Sequence, residues 1–292
     1  MLIMKYNGGL GNQMFQFAAC ASLAKKLNTD FSFDMSFFKK SYARPYEMNI
    51  FNINVTESRD FRTKLFWALR RYLKTNKFLG LNIYRESSFN WEEKFEQIED
   101  NTFIEGFFQS YKYIDDEIVE KYLRFKDEPD VVNANIIGNM SKENSVSLHI
   151  RRGDYVNKKR YQNVYNHLDV KHYQNAMELI ARSEDSPVFY VFSDDIKWAK
   201  ENLTFENCPI CNQKSARLVF ISHNTGKKSY EDMRLMSNCK HNIIANSSFS
   251  WWGAYLNKNP KKIVIAPKKW FQDETKTTCD IYPSRWITLE VK

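Results

Sequence analysis

The sequence predicts an α/β protein built from parallel strands with helices packed over them, and three observations carry this. Leu2–Tyr6 reads as a buried strand entering the glycine turn Asn7–Gln13; the helix expected over Met14–Leu27 carries Ala18, Ala19 and Ala21, which allow close approach to a sheet. The stretch Ser145–Tyr155, SVSLHIRRGDY, alternates apolar and polar residues like a strand and stops at Arg151, Arg152, Gly153 and Asp154. From there on, strand-like and helix-like runs alternate four times, the pattern of a parallel, doubly wound sheet. With 292 residues, 43% hydrophobic, the chain fits two compact domains better than one.

In chain order, the glycine turn collects backbone N–H groups at a helix start, where they favour an anion. It is not a dinucleotide fingerprint, because Met14 stands where the third glycine belongs after Gly9 and Gly11, and no Gly-Lys-Ser/Thr follows as in a P-loop. Asp34, ending a second strand over Asp30–Asp34, keeps a dehydrogenase reading open. Arg59–Phe78 holds seven basic residues against the single acid Asp60, with Phe61, Leu65, Ala68, Leu69 and Tyr72 on one helical face. That face is expected to pack inward, leaving lysine and arginine in water; the competing readings are a helix lying on an anionic membrane and a nucleic-acid arm. Trp91–Tyr113 is rich in aromatics without a clear period, and Asp115–Leu123 reads as a helix. Lys126–Asn144, with Pro129 and four asparagines, reads as the boundary between domains spanning 1–138 and 139–292, the last segment free to pack back on the first domain.

In the second half, two adjacent guanidiniums are costly to hold together unless an anion or a carboxylate lies between them. Asp154 can engage one and leave the other for an outside ligand. Tyr161–Leu168 reads as a polar loop and Val170–Arg182 as a helix. The strand Pro187–Ser193 runs into Asp194 and Asp195; capping of the helix Ile196–Leu203 accounts for one carboxylate, and the other is surplus, suited to ribose hydroxyls or an amide edge. The strand His241–Ala245 runs into Asn246, Ser247, Ser248 and Ser250, more hydroxyls than one helix cap requires and well placed to cradle phosphate. Cys208 and Cys211 lack a second ligand pair for zinc, and they do not open a helix after a strand as a thioredoxin-type motif does.

Lysine and arginine exceed acids, 43 against 35, so anionic partners are expected: nucleic acid, phosphorylated metabolites or an acidic membrane surface. No apolar run approaches a membrane span, and neither a signal peptide nor a spanning helix is read. Five scattered cysteines suggest a reducing compartment, with cytoplasm as the default.

The blocks GGLGNQMFQFA, HIRRGDY, the strand-plus-SDD element and DMRLMSNCKHNIIANSSFSWWGAYL resemble the α-1,2-fucosyltransferases of glycosyltransferase family 11, in that family's order over residues 8 to 256. About residues 40–100 carry no matching motif. The resemblance implies a GT-B-like architecture of two Rossmann-like domains facing across a cleft, an N-terminal acceptor-side domain and a C-terminal GDP-fucose-binding domain. It implies GDP-β-L-fucose as donor, the 2-hydroxyl of a terminal galactose as acceptor, inversion at the anomeric centre, and no metal or cofactor. By matching, Arg151 contacts the β-phosphate, His149 and Asp232 hold the guanosine end, Ser247 or Ser248 meets the pyrophosphate, and Asp194 and Asp195 line the nucleotide pocket. Gly9, Gly11, Asn12 and Gln13 bring the N-terminal turn to the donor's reactive end. Vertebrate relatives carry a membrane anchor ahead of the first motif, whereas this chain starts at it, which looks bacterial and cytosolic. The acceptor expected is a galactose-terminated glycan, either free or lipid-linked in O-antigen or lipopolysaccharide synthesis, the latter with peripheral contact at the inner membrane.

Chemistry supports that reading without the resemblance. A sugar leaving a nucleoside diphosphate puts negative charge on the β-phosphate. No Asp-x-Asp triplet occurs in the sequence, and fixed arginines can serve as the electrostatic sink. Asp154, Asp34 and Glu105 are the candidate bases for the acceptor hydroxyl. The rivals are a nucleic-acid binder, argued from charge alone, a non-catalytic nucleotide-sugar or glycan binder, and a fucosyltransferase of another linkage.

Overall fold

A computed structural model describes residues 1–291 except 41–43, 70, 71, 73, 74, 154–163, 165, 166, 207 and 274. The chain divides into two compact units, residues 1–127 with 277–282, and residues 128–276 with 283–292. The break falls eleven residues before the expected boundary at 138/139, because the asparagine-rich stretch is a helix, α4 (Val131–Met140 in chain order), not a linker. Asp130 caps it, accepting from the Asn133 N–H at 3.0 Å, and Met140 packs into the second unit's core. The closing segment is shared: 277–282 belongs to the first unit and 283–292 to the second.

In the first unit, β1 (Leu2–Lys5), β2 (Phe31–Asp34), β4 (Leu81–Arg85) and β5 (Thr102–Glu105) form a parallel sheet, with β3 (Lys77–Phe78) added antiparallel in the order β2-β1-β5-β4-β3. β5 lies in the aromatic stretch without a clear period, and β3 ends the run read as helical; at two to five residues β3, β4 and β5 are too short to establish a period. The helix α1 (Leu10–Leu27) starts four residues earlier than expected, so Gly11, Asn12 and Gln13 lie in its first turn and not in the loop. The sharp turn belongs to Gly8, at φ +82°, where a Cβ would meet Asn12 Nδ2 at 2.7 Å.

The helix α2 (Phe61–Leu69) overturns the expected orientation. It buries Thr63 and Phe66, the latter against Ile3, Leu81, Ile83 and Phe103, while Phe61, Leu65 and Leu69 face solvent. The helix α3 (Asp116–Tyr122) is capped by Asp115, which accepts from the Glu117 N–H at 2.9 Å.

In the second unit the strands are β6 (Asn144–Ile150), β7 (Pro187–Ser193), β8 (Arg217–Ile221), β9 (His241–Ile243), β10 (Val264–Pro267) and β11 (Ile287–Leu289). The helices α5 (Val170–Ser183), α6 (Ile196–Asn202), α7 (Pro209–Gln213), α8 (Tyr230–Asn238) and α9 (Ser248–Tyr255) alternate with them. All six strands are parallel in the order β11-β10-β9-β6-β7-β8. Chain order reverses between β6 and β9, which makes that gap the switch point of a Rossmann-type sheet. β6 is buried on both faces: Val146, Leu148 and Ile150 enter the main core, while Ser145 donates to the Met140 carbonyl and Ser147 accepts from Asn242. Cys208 and Cys211 are joined as a disulfide across the first turn of α7.

Close packing of α9 on α8 rests on Gly253, where a Cβ would come within 2.8 Å of Met236 Cβ. Gly253→Ala is expected to lower stability by about 1–3 kcal/mol, read from denaturant unfolding.

Candidate functional site

Parallel pairing runs to the last residues of β6 and β7, with Ile150 opposite Ser193. The next residues therefore leave the sheet in step, two arginines beside two aspartates. Arg151 Nη1 lies 2.9 Å from Asp194 Oδ2, and Asp194 Oδ1 accepts from the Arg152 backbone N–H at 2.8 Å. Gly153 makes room for this carboxylate: a Cβ there would sit 2.7 Å from Asp194 Oδ2. Arg152 Nε is 3.6 Å from Asp195 Oδ2, too long for a hydrogen bond, and its guanidinium lies 3.8 Å from the Trp198 ring centroid. His167 Nε2 stands 3.2 Å from Arg152 Nη1. The arginines' counter-charges thus come from β7. Asp154, expected to supply one, lies outside the described residues.

Asp195 is the helix cap, accepting from the Trp198 N–H at 3.1 Å, and the surplus carboxylate is Asp194, engaged by the arginine loop. Next to this loop in β6, His149 is buried and its pKa is lowered to about 4, chiefly by burial and further by the Arg151 charge against the opposing pull of Asp194. The imidazole is therefore neutral, and Nδ1 is buried with no hydrogen-bond partner among the described residues.

Across the switch point, β9 leads to Asn246, Ser247 and Ser248 at the start of α9. Asn246 and Ser247 are buried; the Asn246 amide donates to the Trp270 carbonyl at 2.9 Å. Ser247 occupies the N-cap position but makes no capping bond, and Ser250 donates to the Ser247 carbonyl, so capping does not account for the serine cluster. In α8, the buried pair Glu231–Arg234 precedes and follows Asp232. Asp232 accepts from Asn224 at 2.9 Å, and burial, with Glu231 adding, pushes its carboxyl up to about 7. Asn224 is in turn held by Asn133 of α4 through two 3.0 Å bonds.

In the first unit, Gly9 is the N-cap of α1. Gln13, expected at the donor, is fully buried and committed to the backbone: its amide donates to the Gly8 and Pro45 carbonyls and accepts from the Glu47 N–H. It braces the turn. Asn12 accepts from Gln109 at 2.8 Å and Gln16 donates to the Gly106 carbonyl, tying the turn after β1 to the segment after β5. β1 and β5 flank this sheet's own switch point.

Of the candidate bases, Asp34 is buried and accepts from the Ser36 N–H and hydroxyl, and Glu105 lies within 3.8 Å of Lys5 and 3.5 Å of Arg85. Sequence reasoning missed Glu86, at the carboxyl end of β4. It accepts from the Phe107 and Phe108 N–H groups at 2.7 and 3.0 Å, and burial, reinforced by Glu92, pushes it up to about 7. Beside it, the half-buried rings of Phe89 and Phe107 stack, their centroids 6.5 Å apart. Its one sequence signal is Gly106, where a Cβ would lie 2.6 Å from Glu86 Cβ.

A parallel sheet whose switch point carries arginines, a neutral imidazole and a fresh helix start is the anion-binding crevice of a Rossmann-type domain. The chain belongs to glycosyl transferase family 11, whose sequence profile it matches over residues 1–290. It is 33% identical over 315 residues to the Escherichia coli O-antigen biosynthesis glycosyltransferase WbnK, covering 97% of this chain and 98% of the relative. It is 31% identical over 305 residues to an Escherichia coli alpha-1,2-colitosyltransferase, covering 99% of each. The structure of an Arabidopsis thaliana FUT1 mutant in complex with GDP superposes with a TM-score of 0.51 at 11% identity, over 97% of this chain and 74% of that one. The architecture is accordingly GT-B-like, with two Rossmann-like units, and the protein is a glycosyltransferase. Among the described residues no helix is long and apolar enough to cross a membrane.

Asp232 titrates near 7 when folded and near 4 when unfolded, so its contribution to stability is complete below about 4 and is lost as pH rises through about 7. Asp232→Asn removes this dependence. The difference in unfolding free energy between the two proteins should move in the variant's favour from about pH 4 to about pH 7, the window set by the two pKa values.

Proposed function

We propose that the protein transfers L-fucose from GDP-β-L-fucose to the 2-hydroxyl of a terminal galactose, inverting the anomeric centre and using no metal ion or cofactor. The observation that carries this is the arginine pair at the β6 switch point, fixed by Asp194 and Asp195. Guanidiniums held in place before the donor arrives need no reorganisation to absorb the charge that grows on the β-phosphate as fucose departs. Arg151 contacts the β-phosphate and Arg152, stacked on Trp198, frames the diphosphate. Ser247, Ser248 and the first N–H groups of α9 bind its oxygens, and Asn246 supports their turn. His149 and Asp232 hold the guanosine, whose N1–H and amino group suit a carboxylate acceptor. Asp194 acts on the donor through Arg151.

The first unit, with Gly9, Gly11 and Asn12 at its turn, serves the acceptor. There Glu86 takes the galactose hydroxyl proton. The hydroxyl oxygen bonds to fucose C1, the C1–O bond to the β-phosphate breaks, and the electron pair leaves with GDP. A base near 7 exchanges its proton at physiological pH. The name of the Escherichia coli O-antigen biosynthesis relative supports a glycan acceptor in O-antigen synthesis. The colitosyltransferase relative favours a second reading in which the donor sugar is colitose, fucose lacking its 3-hydroxyl.

The test is transfer in EDTA from GDP-fucose and from GDP-colitose to a panel of terminal galactosides, with the linkage and anomer read by NMR. Arg151→Ala should lose about 3–4 kcal/mol of transition-state stabilisation, a 100- to 1000-fold fall; near-full turnover by that variant, or abolition by chelator, contradicts the reading. Wild-type kcat should rise with pH through about 7, as Glu86 loses its proton. Glu86→Gln should cost about 100-fold or more and abolish that limb while leaving GDP-fucose binding unchanged.

A further inference from the structure

The helix α2 presents its apolar stripe to solvent: Phe61 is 67% exposed, Leu65 40% and Leu69 38%, at i, i+4 and i+8. The stripe does not end with the helix. Tyr72 is 84% exposed, and Leu79, at the tip of the β3–β4 turn, is 57% exposed and tied to α2 where Arg62 Nη1 reaches its carbonyl. Phe66 anchors α2 in the core of the sheet and Thr63 is buried with it, so the stripe cannot rotate inward.

Cations border this apolar strip. Arg59, Lys64 and Lys77 are exposed, and the nearby acids are engaged elsewhere, Asp60 by Arg62 and Glu57 by Lys39. A cavity of about 620 Å³, lined by Ser32, Thr56, Glu57, Ser58, Arg59 and Lys64, opens at the cationic edge and is wide enough for a phosphate headgroup.

We propose that this face of the first unit docks on an anionic lipid bilayer, with Phe61, Leu65, Leu69, Tyr72 and Leu79 entering the headgroup–acyl boundary and Arg59, Lys64 and Lys77 meeting lipid phosphates. Charge and apolarity together select this occupant. Nucleic acid rewards the cations but gives a phenylalanine–leucine stripe nothing to enter. A second copy of the chain joined face to face by a two-fold axis sets one cationic border against the other. The inference is independent of donor and linkage, and its readout is partition, not transfer.

The experiment is flotation of the full chain with vesicles of phosphatidylcholine alone and of phosphatidylcholine mixed equally with phosphatidylglycerol. Wild type should float with the anionic vesicles, less so as salt rises, and stay behind with the zwitterionic ones. Phe61→Glu with Leu65→Glu should lower the partition coefficient by about ten-fold or more, and Lys64→Glu with Lys77→Glu should abolish the preference for anionic lipid. All four side chains are exposed, so thermal melting should match wild type and certify the fold. Wild type remaining unbound at low salt, or variants floating as wild type does, overturns the proposal. So does light scattering that finds a wild-type dimer dissociated by Phe61→Glu, which would make the face a contact between copies.

Discussion

Two like charges on consecutive residues, at the end of a strand buried on both faces, form the constraint that organises the second unit. Side by side in a low-dielectric setting they repel, and an isolated pair would splay or draw in solvent. The sheet resolves this through register. Since Ile150 pairs with Ser193, the residues that follow, Arg151-Arg152 and Asp194-Asp195, emerge alongside one another. A slip of one residue would turn His149 toward the apolar core and separate the charges. Pairing along seven residues therefore fixes both the hydrophobic core and the electrostatics beyond it. The glycine after the arginines completes the arrangement, since any larger residue would displace the carboxylate that holds Arg151.

Burial sets the remaining chemistry. It drives His149 down, so that the imidazole is neutral near pH 7, and pushes Asp232 and, in the first unit, Glu86 up to about 7. The crevice at β6 thus has fixed positive charge held in geometry by carboxylates, with a neutral imidazole beside it.

Much of this was legible in the sequence. β7 follows its predicted span, α5 and α6 end within a residue of theirs, and the doubly wound topology follows from the alternation of strands and helices. The blocks around 149–152, 194–195 and 246–248 do meet at the carboxyl ends of neighbouring strands. What the sequence hid was partnership across space. Asp154 was the near carboxylate in sequence, but the described partners of the arginines are forty-odd residues away, brought together only by strand register. Gln13 looks like a donor ligand by motif, and only the fold reveals that residues 45–47 already engage its amide. Glu86 follows a five-residue strand, too short to show a period, so nothing local marks it. The stripe on α2 was read correctly as a face, but periodicity does not say which way a face points. Phe66, off the stripe, reached the core and decided the matter.

The residues 277–282 form part of the first unit although nearly all of the second unit precedes them in the chain. Asp280 accepts from the Trp91 N–H, its carbonyl accepts from Ser110, and the Asn90 side chain binds the Cys279 N–H and the Thr277 hydroxyl. On the ribosome these groups wait, solvated, until translation is almost finished. The domain begun first is the one completed last, and a nascent chain stalled anywhere before residue 277 carries an N-terminal sheet whose flank is still open to water and to chaperones.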